Sequence, residues 1–153
     1  MKMITTNKGF TLVELVIVMA VIALILSVVI PNLRGMQQEG QLTKAESELQ
    51  TLKTAVTSYW RNNGNAYPAN IAAALTGATP NIISNVLPDP WVTDAVNNTY
   101  GYATGNDATF GDYFIIYTKG PKADSAPAFD AAGQRVTYTG SGRVVSNAQV
   151  VKQ

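Results

Sequence analysis

One ionisable residue of this chain stands where its chemistry is costly. Phe10–Ile30 contains 21 residues, and Glu14 is the only one of them that carries a charge. A carboxylate deep in a bilayer costs about 2.5–3.5 kcal/mol on insertion scales. The position of Glu14 therefore calls for a partner or a function, and Glu14 is the first candidate functional residue.

Other residue types that carry out chemistry are missing from the composition. The chain has 153 residues with no histidine and no cysteine. The usual general base, the commonest zinc ligand, a Ser/His/Asp arrangement and any disulfide are all excluded. No nucleophile–base pair is visible, so we expect a protein that is not an enzyme. The formal net charge of +1 does not indicate a nucleic-acid surface.

The apolar run around Glu14 is long enough to be a transmembrane helix, which needs about 20 residues. Lys2 and Lys8 precede it without any acidic residue, which predicts a cytoplasmic N-terminus under the positive-inside rule. A cleaved secretory signal peptide is the alternative. Its apolar region would be about 7–15 residues, followed by a small-residue cleavage site. Here the run ends in Pro31-Asn32 and no Ala-x-Ala follows.

A second pattern continues the predicted helix with a single apolar stripe. The stripe consists of Leu42, Ala45, Leu49, Leu52, Val56 and Tyr59. The charged residues fall off the stripe; they are Lys44, Glu46, Glu48, Lys53 and Arg61. Residues 32–63 are therefore predicted to be an amphipathic half of the same helix, ended by Asn62–Asn65. Pro31, Gly35 and Gly40 mark places where that helix could bend or loosen.

Residues 64–153 are predicted to form a small globular domain. A short helix is expected around Ile71–Leu75, after which the pattern favours strands. The predicted strands are Thr99–Ala103, Asp112–Thr118, Gln134–Thr139 and Arg143–Ser146. The last two flank Gly140-Ser141-Gly142, which predicts a hairpin. The predicted fold class is α+β, with one long N-terminal helix packed on a small antiparallel β-sheet.

The opening residues resemble a processing site. Lys8-Gly9-Phe10-Thr11-Leu12-Val13-Glu14 is similar to the site cut in type IV prepilins and type II secretion pseudopilins. In that family a prepilin peptidase in the membrane cuts after the glycine, and the new N-terminal phenylalanine is N-methylated. The resemblance implies that residues 1–9 are a cleaved leader, with Lys8, Gly9 and Phe10 as processing residues. Residues 10–31 would then form a transmembrane helix that becomes the filament core.

The same resemblance implies a role for Glu14 in assembly. After cleavage, Phe10 carries a positive amine in or beside the membrane. The amine and the carboxylate of Glu14 are each costly alone, and pairing offsets much of that cost. The amine of a neighbouring subunit can be the partner in a helical homo-oligomer. Phe10, Glu14 and Pro31 are the assembly residues that the resemblance implies.

A second resemblance lies in the C-terminal half. Leu87-Pro88-Asp89-Pro90-Trp91 is similar to the Leu-Pro-x-Asp-Pro-Trp stretch of major pseudopilins, although it is one residue shorter and Val92 stands where glycine is usual. That family holds a structural Ca²⁺ with oxygen ligands, which the ion prefers. The implied ligands are the Leu87 carbonyl, Asp89, Asp124 and Asp130. For each aspartate the alternative is a turn residue that bonds its own backbone.

The resemblance implies a structural subunit of a pilus-like filament, most like the major pseudopilin of a type II secretion system. A type IV pilus pilin and a membrane-tethered monomeric binding module are the alternatives. The implied partners are prepilin peptidase, minor pilins or pseudopilins and an inner-membrane assembly platform. The implied location is the bacterial inner membrane, spanned once, with the C-terminal domain periplasmic before assembly. Asn97-Asn98-Thr99 matches a glycosylation triplet that is short enough to occur by chance.

Overall fold

The computed structural model of the chain describes residues 9–77, 81–93 and 99–153. The chain divides into two compact units, the first ending at Gln38 and the second comprising Glu39–Gln153. Helix α1 spans Leu12–Asn62, 51 residues, and contributes to both units. Its helical conformation continues through Pro31, Gly35 and Gly40, so none of these residues ends it.

In the first unit, every described residue from Gly9 to Gln38 is exposed. From Leu12 to Ile30 most of the exposed side chains are large and apolar on all sides of the helix, as in Leu24, which is 72% exposed. Among the described residues, α1 is the one helix long and apolar enough to cross a membrane, judged by length and composition. The predicted apolar helix is therefore present, and no described residue of this subunit covers it.

In the second unit, the other half of α1 packs through the predicted stripe. Ala45, Leu49, Leu52 and Val56 are buried, while Leu42 is half-buried and Tyr59 packs against the core. Their spacing of three and four residues places them on one face of a helix, which explains the agreement. The core that this face joins also contains Ile71, Leu75, Tyr100, Phe114, Ile116 and Val145. Helix α2, Ile71–Gly77, confirms the predicted short helix.

The first sheet is antiparallel, with the order β1-β2-β5. The strands are β1, Gly101–Asp107, β2, Gly111–Tyr117, and β5, Val144–Ser146. β2 agrees with its prediction, whereas β1 begins later and runs further than the predicted Thr99–Ala103. The reason is pairing, because β1 follows β2 in register from Gly101 opposite Tyr117 to Asp107 opposite Gly111. Thr99 forms only an isolated bridge with Pro88.

The second sheet has the order β3-β4-β6 and was not expected. Its strands are β3, Ala126–Asp130, β4, Arg135–Thr139, and β6, Gln149–Lys152, with β4 and β6 parallel. The predicted hairpin around Gly140-Ser141-Gly142 is wrong, because β4 pairs with β3 and β6 while β5 pairs with β2. The single antiparallel sheet is therefore corrected to two small sheets, one of them mixed, within a confirmed α+β fold.

The two sheets pack together through aromatic rings. The ring of Tyr113 in β2 stacks on that of Phe129 in β3, with centroids 4.1 Å apart and planes 10° apart. Phe110 approaches Phe129 at 5.5 Å. Ile115, Val136 and Ala148 form a second buried cluster beneath these rings. This packing joins the two sheets near the start of β2 and the end of β3.

Candidate functional site

The N-terminal segment that resembles a processing site lies just before α1. Gly9 and Phe10 precede the helix, and Phe10 is 85% exposed. Lys8 lies outside the described residues. The peptide bond that the resemblance marks for cleavage thus adjoins an exposed segment rather than a packed element. Processing at Lys8, Gly9 and Phe10 stays a prediction.

Thr11 caps the first turn of α1. Its hydroxyl oxygen accepts a hydrogen bond from the Glu14 N–H at 3.2 Å, and its carbonyl accepts one from the Leu15 N–H at 3.2 Å. These bonds satisfy backbone groups that a helix end leaves without partners. The cap also sets the backbone of Glu14 in the first turn, where the helix dipole favours a negative charge.

The sequence itself contains a signal for this cap. Thr11-Leu12-Val13-Glu14 has the Thr-x-x-Glu spacing of a capping box, in which threonine and glutamate mark a helix start. Glu14 stands in the helix's own first turn and is exposed. Its role in assembly stays a prediction. Pro31 lies within the exposed apolar half, where its role in assembly stays a prediction.

The second candidate region begins at Asp89, which is 2% exposed. Its Oδ1 accepts hydrogen bonds from the Thr118 hydroxyl at 2.7 Å and the Trp91 N–H at 3.1 Å. Its Oδ2 accepts one from the Lys119 N–H at 2.9 Å. Asp89 therefore ties its own turn to the end of β2, and Trp91 packs on the main core beside it. Leu87 is half-buried against the same core.

Asp124 is exposed and bonds a different segment. Its Oδ1 accepts hydrogen bonds from both the N–H and the hydroxyl of Ser141, at 2.7 and 2.6 Å. The hydroxyl bond is the main cause, and the N–H bond the next, of a pKa for Asp124 below its ordinary value, since both stabilise the carboxylate form. Asp124 thus holds the connection between β4 and β5.

Asp130 lies at the far end of β3. Its Oδ1 accepts a bond from the Ala132 N–H at 3.1 Å, and its Oδ2 lies 3.3 Å from Nε of Arg135. A strand rises about 3.3 Å per residue, so β3 places Asp130 about 13 Å along the strand from Ala126. Asp124 precedes Ala126, which separates the two carboxylates by the length of the strand.

The four residues implied for calcium are therefore not brought together as one ligand set. Within the parts of the chain that the structure describes, no three acidic, histidine or cysteine residues group as a metal site would require. The carboxylates of Asp89, Asp124 and Asp130 are each already bonded to protein donors. Calcium binding by Leu87, Asp89, Asp124 and Asp130 stays a prediction that this donor arrangement does not fit. Asn97 lies outside the described residues.

One further polar contact was not foreseen. The hydroxyl of Tyr100, which is buried, donates to Oε2 of Glu48 at 2.5 Å. Glu48 also lies 3.7 Å from the ammonium of Lys44, one turn earlier on α1. Burial is the main cause, and the bond to Glu48 the second, of a raised pKa for the Tyr100 hydroxyl. No periodic pattern links residues 52 positions apart, so the sequence offered no signal for this pair.

The known proteins similar to this chain include type II secretion system core proteins and type IV pilins. Residues 4–30 match the prokaryotic N-terminal methylation motif. The chain is 31% identical over 101 residues to the type II secretion system core protein G of Pectobacterium carotovorum, covering 58% of this chain and 64% of that protein. It is 26% identical over 142 residues to the protein of the same name from Vibrio cholerae, covering 85% and 93%.

A type IV major pilin protein of Neisseria gonorrhoeae is 35% identical over 79 residues, covering 52% of this chain and 47% of that protein. The chain thus spans slightly less than two thirds of the first of these relatives and about half of the pilin. No solved structure matches the chain. The chain therefore carries a methylation motif at its apolar helix and is similar to proteins named as type II secretion system core protein G and as type IV major pilin.

Proposed function

We propose that this protein is a structural subunit of a helical pilus-like filament, as the major pseudopilin of a type II secretion system. The observation that carries the proposal is that the apolar half of α1, which overlaps the methylation motif, is exposed. A contiguous apolar surface of this kind requires a cover. Lipid provides it in a single subunit, and the same helices of neighbouring subunits provide it in a filament.

The breadth of similarity supports a pseudopilin over a surface pilin. The match to the Vibrio cholerae secretion protein runs over 85% of this chain and therefore includes the globular unit. The match to the gonococcal pilin covers 52% of the chain. A surface pilus pilin is the second candidate. A membrane-tethered monomer is the third, and it provides no reason for a methylation motif.

Processing and location follow from the proposal. Prepilin peptidase would cut after Gly9 and so remove residues 1–9. Phe10, once methylated, would be the new N-terminus. The subunit would span the inner membrane once with its globular unit in the periplasm, and an assembly platform with minor pseudopilins would add it to the filament. The relatives are named as secretion-system core and pilin proteins, and we propose no enzymatic activity.

The test compares two glutamates of the same helix in cells that contain the peptidase and the secretion system. Glu14→Leu removes the carboxylate in the apolar half, whereas Glu46→Leu makes the same change at an exposed position of the other half. Insertion of the Glu14 variant should be unchanged or improved, because the apolar run becomes purer. Its filaments, counted by electron microscopy of sheared fractions, should fall at least tenfold, because the amine of Phe10 loses its partner.

The Glu46 variant should assemble like the parent protein. Mass spectrometry of both variants checks that each begins at methylated Phe10, so that a failure to assemble is not a failure of processing. A Glu14 variant that inserts and assembles like the parent would contradict the assembly role and favour a tether. An intact Met1 in membrane-purified protein from these cells would contradict the processing step.

A further inference from the structure

Two connecting segments meet where the resemblance places a calcium ion. The first is residues 118–125, between β2 and β3, and the second is residues 140–143, between β4 and β5. We call them together the loop pair. Thr118 donates its N–H to the Arg143 carbonyl at 3.0 Å, which starts the contact at the end of β2.

Serine hydroxyls and one carboxylate make the other hydrogen bonds between the two segments. The Ser141 hydroxyl donates to Asp124 at 2.6 Å and accepts from the Lys122 N–H at 3.1 Å. The Ser141 N–H donates to the same Asp124 oxygen, and the Ser125 hydroxyl accepts from the Gly142 N–H at 2.7 Å. Each hydroxyl thus accepts a hydrogen bond from a backbone N–H that would otherwise need another acceptor, such as water.

The backbones of the loop pair also approach too closely for a side chain. A Cβ at Gly142 would collide with the Thr118 carbonyl and the Ser125 side chain, and one at Gly120 would collide with the backbone of Gly142. Gly120 also has a φ of +75°, which glycine adopts without strain. A Ca²⁺ ion gathers six to eight oxygens, whereas the side-chain oxygens of Asp124, Ser125 and Ser141 here already accept hydrogen bonds from protein donors.

We propose that direct hydrogen bonds centred on Asp124, Ser125 and Ser141 close the loop pair, so that this chain holds its C-terminal fold without the calcium ion that its family resemblance implies. Asp89 supports the closure from the other side by bonding Thr118 and Lys119. Asp130 takes no part, because it pairs with Arg135 at the opposite end of β3.

The test is hydrogen–deuterium exchange of the full chain in detergent micelles, with excess CaCl₂ or with EGTA. Peptides covering residues 118–125 and 139–144 report the amides of Lys122, Ser141 and Gly142. In the parent protein, their exchange should be the same in both conditions. Ser141→Ala and Ser125→Ala should speed exchange in these peptides about threefold to tenfold, since each loses a net hydrogen bond. The effect should be equal with calcium and with EGTA.

Two sets of controls separate a hydrogen-bonded closure from a calcium site. Ser141→Thr and Ser125→Thr keep a hydroxyl and should retain more protection than the alanine variants. The threonine variants also keep the test possible if an alanine variant fails to fold. Asp130→Ala removes a residue of the implied ligand set and should leave these amides unchanged. The proposal is overturned if EGTA speeds exchange in the parent, if Asp130→Ala abolishes a calcium-dependent protection, or if the serine variants exchange like the parent.

Discussion

The two halves of α1 have the same secondary structure and opposite relations to their surroundings. From Leu12 to Ile30 the helix is apolar around its circumference apart from Glu14 and Ser27, and no residue from Leu12 to Gln38 is buried. From Glu39 to Asn62 it presents one apolar stripe, and that stripe enters the core of the second unit. The stripe places the second half against its own subunit, whereas the first half has no such face, and in the proposed filament lipid or other subunits cover it.

Hydrophobicity alone therefore does not determine where a residue of this helix is buried. Leu24 and Leu49 are the same residue type in the same helix, yet they are 72% and 0% exposed. The two leucines differ in their neighbours, because polar side chains occupy the positions between the apolar residues around Leu49 but not around Leu24. A helix with such a pattern has one apolar face that can pack on its own subunit. A helix without the pattern has no face that differs from the others.

The largest expected effect separates these two leucines in unfolding experiments. Leu49→Ala should lower the free energy of unfolding of the detergent-solubilised chain by about 2–5 kcal/mol, because it leaves a cavity in the core. Leu24→Ala should change that free energy little, because its side chain already contacts the detergent rather than the core. Chemical denaturation followed by the near-ultraviolet signal of the aromatic core measures both. Equal losses in the two variants would remove the distinction between the halves.

A smaller effect is expected at the hydrogen bond between Glu48, in the buried half of α1, and Tyr100, which directly precedes β1. Tyr100→Phe should cost about 1–2 kcal/mol, because Glu48 loses a charge-assisted hydrogen bond. Tyr117→Phe is the matched control, since its hydroxyl has no hydrogen-bond partner among the described residues. A double-mutant cycle with Glu48→Gln measures the coupling between the two side chains. A coupling near zero would show that the bond adds nothing to burial of the ring.

The smallest effect is expected at the N-terminus of α1, where a hydrogen-bonded cap rather than side-chain packing stabilises the helix. Thr11→Ala should weaken the first turn by about 1 kcal/mol, because the Glu14 N–H loses its acceptor. Thr51→Ala is the control, since its hydroxyl only bonds the Ser47 carbonyl within the helix. Amide exchange of Glu14 measured by NMR in micelles should rise in the first variant alone. Unchanged exchange would mean that Thr11 does not cap the helix in the membrane.

Local patterns account for the parts of the fold that the sequence predicted. The stripe from Leu42 to Tyr59, the short helix at Ile71 and the strand β2 each repeat apolar residues at the period of their own element. The second sheet lacks such a signal. β3 has the sequence Ala126-Pro127-Ala128-Phe129-Asp130, with a proline and one large apolar residue. Its place depends on β4 and on the Tyr113 ring rather than on its own pattern.

The candidate sites divide in the same way. Gly9, Phe10 and Glu14 are contiguous, so their motif is readable without a structure, and Thr11 could have been read with them. The roles of Asp89 and Asp124 depend on partners that are far away in the chain. Thr118 is 29 residues from Asp89, and Ser141 is 17 residues from Asp124. A motif resemblance assigned both aspartates to an ion, whereas the fold gives each a protein donor.

By itself, the sequence determined the apolar helix, its amphipathic continuation, the methylation motif and the absence of histidine and cysteine chemistry. These features are local or compositional, and helix periodicity is enough to place them on one face or on all faces. Only the tertiary structure decided that β4 and β5 enter different sheets, that Asp89 is buried, and that Ser141 meets Asp124. Those outcomes rest on pairings between distant segments, which are selected by packing of the whole unit and leave no periodic trace in either segment alone.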